Sequence, residues 1–533
     1  MQMSLMKSLI KGKLETELAF PYPEMTAEDA ETMNMFIDSV EDFCKNNING
    51  LQFDKEKHIP PEVLQGLGEL GVMGITIPEE YGGSGLSPTV YNRVVGTIAK
   101  YCTSTAITIG AHQSIGYKPI LLEGTEEQKQ QWLPQCATGD EIAAFALTEA
   151  NAGSDNTKIA TKAVPNEDES VYTLNGTKLW ITNGGFAKIF TVFARTKRGL
   201  TCFVIHKDDG GVSIGPPEDK LGLRASSTTE VHLENVKVPA DRIIGKKGFK
   251  VAMDTLVHGR LGLAGSCYVL SNYCLELAQE QAGQREQFKH PIKDFGLIRE
   301  KLANMAISTY IQDAMTYLAG EMYFQRGIDM SIEADISKCF CTEELWVNIN
   351  EALQIAAGNG YMTEYPYERM LRDNRINQIF EGTNEIQRLI IGQTTLRLIR
   401  EAVDEGTLDE NHRLTLPNIH ESLRPAIDHF EQMTHQLYNG FVRLYKTSGK
   451  DIFTNQYQMQ RASDITSYIY ALFAGICKTQ YLIDQKGQDA VNPEIRITNA
   501  FADRALKATT AEYDTIFENQ DSLIDHIVDD LYR

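Results

Sequence analysis

The chain is poor in tryptophan, in paired cysteines, in basic surplus and in long apolar runs, and each shortage excludes something. Nine cysteines are scattered over 533 residues. Only Cys339 and Cys341 stand close, as C-x-C rather than the C-x-x-C of zinc sites. They read as reduced thiols of an intracellular protein. Lys and Arg number 51 against 72 Asp and Glu, a net charge of −21, so the basic surface that displaces counterions from nucleic acid is absent. The acidity suits solubility and permits a basic partner without naming one. No apolar run reaches the length of about 18 residues that a membrane-crossing helix needs. Met1 to Lys13 carries three lysines but neither the apolar core nor the small-residue cleavage site of a secretory signal, and it is arginine-free and short for a transit peptide. The glycine-rich Glu79–Gly85 stretch lacks the Lys-Ser/Thr of a phosphate-cradling loop.

What remains is an ordinary globular composition, 42% hydrophobic and 23% charged, long enough for roughly two to four domains. Met33, Phe36, Ile37, Val40 and Phe43 recur at helical spacing, and Pro60-Pro61 opens a further helix carrying Val63, Leu64, Leu67 and Leu70. From Ile142 to about Ile244 short β-branched and aromatic runs alternate with turns. Asn175-Gly176 between two such runs predicts a hairpin. Helical periodicity returns at Phe249 and lasts to Arg400. Gly406 to Pro417 reads as a linker, and a stripe of Ile419, Leu423, Ile427, Phe430, Met433 and Leu437 follows it, with Pro425 either in the first turn of its helix or kinking it. The fold class is therefore α+β, mainly α: an N-terminal helical domain (1–141), a middle antiparallel β domain (142–248), a helical bundle (249–400) and a further helical domain (401–533).

Three stretches suggest chemistry. Phe145-Ala-Leu-Thr-Glu-Ala-Asn-Ala-Gly-Ser-Asp155 combines small residues and hydroxyls, so its backbone can approach an anionic or planar ligand, or simply turn. Leu179-Trp-Ile-Thr-Asn-Gly-Gly185 sets Trp180 beside a hydroxyl, although a lone strand tryptophan is usually core. Gln378-Ile-Phe-Glu-Gly-Thr-Asn-Glu-Ile-Gln387 holds one carboxylate, Glu381, between an apolar run and a turn. With Gln354-Ile-Ala-Ala-Gly-Asn-Gly-Tyr361, Arg369, Arg372-Asp373 and Arg285-Glu-Gln-Phe-Lys-His-Pro-Ile292, in this order, they resemble the acyl-CoA dehydrogenase family. Phe20-Pro-Tyr-Pro23, Gly110-Ala-His-Gln-Ser-Ile-Gly116 and Phe295-Gly-Leu-Ile298, with the helical segment after residue 400, look like its very-long-chain subgroup.

The resemblance implies FAD-dependent oxidation of a long-chain acyl-CoA to the trans-2-enoyl-CoA in fatty acid β-oxidation. Glu381 matches the base that removes the α proton, while the β hydride goes to flavin N5. In some members the base stands instead on an earlier helix, where this chain has Gly259. Arg260 matches a substrate-site arginine, with Val257, His258 and Gly382 nearby. Phe145, Leu147, Thr148, Trp180, Ile181 and Thr182 match flavin-ring contacts, and Ser154 a position near pyrophosphate and CoA. Arg285, Phe288, Phe295, Gln354 and Gly358 match contacts to the FAD of a neighbouring subunit, which implies a homodimer; Thr383 and Glu385 match contacts to the adenosine half. No metal is implied. Lys289, Arg299 and Glu385 depart from the family's Gly, Gln and Gln/Asp. The implied electron acceptor is electron-transfer flavoprotein; an oxidase using oxygen and a respiratory-complex assembly factor are the alternatives. The implied location is the bacterial cytoplasm, with peripheral membrane contact left open. Gly110, Ala111, Ser114 and Gly116 either leave room for a long acyl tail or serve close helix packing.

Overall fold

The computed structural model describes residues 4–533; Met1–Met3, which begin the stretch read above as no secretory signal, lie outside them. Among the described residues no helix is long and apolar enough to cross a membrane. All nine cysteines are buried thiols. The chain is mainly helical with a middle β domain. It divides into two compact units, one of Met25–Leu302 and Cys341–Gly382, the other of Met1–Glu24, Ala303–Phe340 and Thr383–Arg533. These units cut across the 249–400 bundle expected from helical periodicity, because periodicity registers helices and not their partners.

In the first unit the helices Ala27–Asn47, Pro61–Glu69, Pro88–Tyr101, Thr103–Ala111 and Glu126–Thr138 precede the sheet. Their boundaries follow local chemistry. Ser87 caps Val90 N–H ahead of Pro88, and Thr125 with Gln128 forms a reciprocal capping box. The strands are β1 Ala143–Ala146, β2 Lys162–Pro165, β3 Val171–Thr182, β4 Ile189–Thr196, β5 Gly199–His206, β6 Val212–Ile214, β7 Thr228–Pro239 and β8 Ile243–Ile244. They run β6-β7-β3-β2-β4-β5-β8, with β1 added to β4.

Two sequence expectations need correction. The sheet is not purely antiparallel: β1 pairs parallel with β4, and β2 touches β4 in parallel at Lys162 and Arg195. The long chain path from β1 through β2 and β3 permits the parallel return. Asn175-Gly176 makes no hairpin turn, since both lie inside the continuous strand β3 at a register shift against β7. A Cβ on Gly176 would stand 2.3 Å from Thr161 Oγ1, so the glycine serves close approach at a bulge.

β4 is buried on both faces. Ile189 and Phe193 pack with Tyr117, Ile120, Trp132 and Val251 on the helical side, whereas Phe190 and Val192 pack with Tyr172, Ile205 and Val236 on the other. Two covered faces explain its unbroken apolar run. The helix Gly248–Gln284 follows.

In the second unit, Arg424–Ser448, Gln456–Lys486 and Asn492–Asp514 are long regular helices. Pro425 sits in the first turn of its helix, where its missing N–H costs nothing. Leu423, Ile427, Phe430, Met433 and Leu437 are all buried. The stretch 406–417 is irregular, as a linker should be, yet Leu408, Leu414 and Leu416 are buried along it.

Candidate active site

Glu381 follows a short 3₁₀ turn, Arg375–Gln378, in which Ile376 C=O accepts from Phe380 N–H at 3.1 Å. Its φ is 59° and that of Gly382 is 87°. An L-residue in this region costs roughly 1–2 kcal/mol, so the turn is held by its surroundings. Arg260, buried on the Gly248–Gln284 helix, donates from Nε to Glu381 C=O at 3.1 Å.

The carboxylate of Glu381 borders a cavity of about 70 Å³, lined also by Tyr91, Gly110, Ala111, Ser114 and Gly259. Glycine at 259 is a spatial requirement. A Cβ there would lie 2.9 Å from Glu381 Oε2 and 2.9 Å from Ile115 Cγ2. One turn later, a Cβ on Gly262 would meet the Tyr91 ring at 2.9 Å. The helix thus yields space first to the carboxylate and then to the ring. Of the four small residues at 110–116, three line this cavity and Gly116 does not. A Cβ on Gly116 would meet Ala143 C=O at 2.6 Å, so Gly116 serves packing.

His112–Gly116 forms a π-helical turn, with Tyr117 N–H bonded to His112 C=O at 3.1 Å. Such insertions widen a helix locally. His112 is fully buried within it. Ala143 N–H donates to Nδ1 at 2.9 Å, which leaves Nε2–H to donate to Cys136 C=O at 3.0 Å. Burial pushes the imidazole down to about 4.

The two β-domain stretches meet through a buried pair. Lys178 donates to Leu147 C=O at 3.1 Å and to Glu149 Oε1 at 2.7 Å, and Leu179 N–H donates to Thr148 C=O at 2.9 Å. Glu149 also accepts from Ala160 and Thr161 N–H at 2.5 and 3.1 Å. Burial pushes the Glu149 carboxyl up, but the bonds from Lys178 and Thr161 outweigh it and hold the group below the usual carboxylate range. Burial brings Lys178 down to about 8.

Trp180 is not core. It lies at a second register shift of β3, between Lys178 and Ile181, with φ of 56° and 61% exposure. The bulge turns the indole outward beside Thr182, which lines the Glu381 cavity, while Ile181 points into the sheet core. An exposed indole and a pinned, small-residue backbone fit a planar aromatic ligand such as an isoalloxazine.

The remaining predicted positions do not line the cavity. Ser154 is exposed. Arg285 ends the Gly248–Gln284 helix, and Phe288-Lys289 forms the two-residue tip of a hairpin between Glu286–Gln287 and His290–Pro291. Both tip residues have positive φ, 53° and 71°, so the family's glycine at 289 occupies a conformation that glycine prefers and lysine here adopts. Phe288 is exposed and meets Phe295 edge-on at 6.2 Å. Gln354 and Gly358 are exposed around Ala357, whose φ is 54°. Val257 and His258 are half-buried one turn before Leu261. Thr383 and Glu385 belong to the second unit, where Thr383 Oγ1 caps Ile386 N–H at 3.3 Å. Arg372 makes a paired contact to Asp54 at 2.8 and 3.1 Å, and Asp373 accepts from Leu223 N–H at 2.6 Å. These two residues fix a loop whose Leu223 lines the cavity. Sequence reading missed Tyr91, Leu223 and Asn377 as lining residues, because no local pattern marks them.

Models of the acyl-CoA dehydrogenase N-terminal, middle and C-terminal domains match residues 30–140, 144–236 and 246–396. The bovine mitochondrial very long-chain specific acyl-CoA dehydrogenase is 43% identical over 401 residues, covering 72% of this chain and 60% of its own length; the chain thus matches about three-fifths of that relative. A probable acyl-CoA dehydrogenase of Bacillus subtilis is 33% identical over 546 residues, covering 94% and 90%. An acyl-CoA dehydrogenase from Bacillus anthracis, solved in complex with FAD, superposes with a TM-score of 0.85 at 31% identity, covering 96% of this chain and 91% of its own. With the three domain models in order and near-complete coverage of a bacterial relative, the chain belongs to the acyl-CoA dehydrogenase family.

Proposed function

We propose that this protein catalyses FAD-dependent α,β-dehydrogenation of long- or very-long-chain acyl-CoA to the trans-2-enoyl-CoA. The observation that carries the reading is the Glu381 carboxylate lodged against Gly259 at the wall of a mainly aliphatic cavity. Glu381 takes the α proton. Arg260 holds the carbonyl of the same residue, and so orients the turn whose N–H faces the thioester oxygen on this reading. The aliphatic walls exclude water, which strengthens both interactions. Phe145, Leu147, Thr148, Trp180, Ile181 and Thr182 hold the flavin ring, with Ser154 near its pyrophosphate. Arg285, Phe288, Phe295, Gln354 and Gly358 reach the flavin of a second subunit in a homodimer; Thr383 and Glu385 contact the adenosine half of FAD. Bound FAD supplies the acceptor for the β hydride.

Gly110, Ala111 and Ser114 keep the cavity open for a long tail, which supports the chain-length assignment. Electron-transfer flavoprotein is the proposed acceptor and the bacterial cytoplasm the proposed location. Anaerobic addition of palmitoyl-CoA to the purified yellow protein should bleach the flavin band near ~450 nm. Glu381→Gln should slow the bleaching roughly 10³-fold or more with FAD still bound. Unbleached wild type would overturn the reading, undiminished bleaching in the variant would remove Glu381 as the base, and fast reoxidation in air would mark an oxidase. A series of acyl-CoA lengths then locates the preferred tail.

A further inference from the structure

Tyr91 is the largest side chain lining the Glu381 cavity, and the helix opposite gives way to it: a Cβ on Gly262 would stand 2.9 Å from its Cε1. The ring is held from two sides. The Pro88–Tyr101 helix that carries it lies against Gly248–Gln284 at three successive contacts, Tyr91 on Gly262, Asn92 on Gly265 and Gly96 on Val269, where a glycine Cβ would come within 2.9, 2.2 and 2.5 Å of its neighbour. Helices this close leave the ring no outward swing. Its hydroxyl is tethered as well, donating to Gly110 C=O at 3.2 Å with Ser114 as a second partner. Burial raises the hydroxyl above its ordinary range, the Ser114 bond opposes this and the Glu381 charge adds to it, so the group stays protonated and donates. A side chain that merely filled space would need no such tether.

The cavity that this ring borders is long for its volume. Its lining on the Gly248–Gln284 helix runs from Gly259 through Gly262, Leu263 and Ser266 to Leu270, or about 16 Å of helix. About 70 Å³ spread along that length is a slot and not a chamber. Gly259 faces the Glu381 carboxylate and Gly262 faces Tyr91, about 4.5 Å further along the helix. That distance is about three or four carbons of an extended tail beyond the carbon that loses its proton. A straight chain passes a fixed ring in single file, whereas a methyl branch at that point needs space that the ring and the Gly262 backbone already fill. We propose that Tyr91 is a specificity-determining residue whose fixed ring passes straight acyl tails and excludes those with a methyl branch near about C5 or C6. The inference rests on the acyl-CoA reading above and adds to it the side chain that sets the width of the acyl slot.

The test uses the FAD-loaded enzyme and acyl-CoA esters of one chain length, straight or with a single methyl walked along the tail. Wild type should turn over the straight and tail-end-branched esters alike and lose roughly tenfold or more in kcat/KM where the methyl lies near C5 or C6, as one methyl group in a tight apolar site can cost. Tyr91→Ala should bring the branched and straight esters to within about threefold of each other at that position, whatever it does to both. Tyr91→Leu repeats the comparison should the alanine variant fold poorly. A flat walk in wild type, or a dip that either variant leaves unchanged, overturns the proposal. Non-reactive alkyl-CoA thioethers carry the same walk without turnover. A rise in melting temperature that the branch near C5 or C6 abolishes in wild type, but not in Tyr91→Ala, supports the role of Tyr91 even if no ester bleaches the flavin, in which case only the dehydrogenase reading falls. Equal stabilisation of wild type by every thioether overturns it.

Discussion

The helix Gly248–Gln284 and the three long helices that begin at Arg424 are built on different rules. On the first, Gly259, Gly262 and Gly265 face the Glu381 carboxylate, the Tyr91 ring and the Asn92 amide, where a Cβ would come within 3 Å of each. The same unit holds Trp180, Asn183, Leu223, Ala357 and Glu381 at positive φ. Among the described residues from 424 to 533, no residue other than glycine has positive φ. There Phe430, Phe441, Tyr470 and Phe473 are fully buried in regular helices. Strain collects where a group has to be placed; in the C-terminal helices glycine makes room only for packing, as Gly440 does for Ile516 and Gly475 for Ile311, and large ordinary side chains fill the core.

Truncation should separate the two regions. Phe430→Ala should cost about 4 kcal/mol of unfolding free energy, read by denaturant titration, while the flavin-bleaching rate of the folded fraction stays at wild type. A slowed rate there would show that the C-terminal helices do more than pack.

Acid should act on the other region. His112 is neutral in the folded state, with its pKa held to about 4, whereas the unfolded chain binds the proton near the ordinary 6.5. The unfolded state therefore holds more protons between these values, and stability falls as pH drops from about 6.5 toward 4. From this group alone the loss is about 3 kcal/mol. His112→Gln should flatten that slope in denaturation curves recorded across the window. An unchanged slope would assign the acid sensitivity elsewhere.

Gly259→Ala is the smaller perturbation with the more local effect. The new methyl must displace the Glu381 carboxylate, and kcat/KM should fall roughly 10²-fold with the melting temperature nearly unchanged. The least disruptive change is Gly110→Leu. A Cβ at 110 meets only ordinary contacts, 3.4 Å from Tyr91 and 3.7 Å from Val95, so the larger side chain fills the cavity. It should lower kcat/KM roughly tenfold for the longest acyl-CoA and spare shorter ones.

Much of this division was legible in the chain. Capping residues, Pro61, Pro88 and Pro425 fixed helix starts, and the Ile419–Leu437 stripe marked a buried face. The motif order pointed to Glu381, Trp180 and Arg260 together. Hairpin chemistry at Asn175-Gly176 misled, because the need for close approach to Thr161 at a bulge leaves the same signature as a turn. Trp180 looked like core because strand alternation does not reveal a bulge that rotates one side chain outward. Nor does any local pattern mark Tyr91 or Leu223, whose importance lies in what is packed against them.

By itself the sequence determined the family, the helical and β segments and the acid that stands before Gly382, since each depends on near neighbours or on motif order. Tertiary structure alone decided why residue 259 has no side chain, which of the small residues at 110–116 face the cavity, and that Lys118 is buried with its ammonium on Thr76 Oγ1. Those facts are distances between residues far apart in the chain. They bear directly on Glu381, whose carboxylate has room only because glycine faces it across about 120 residues of sequence.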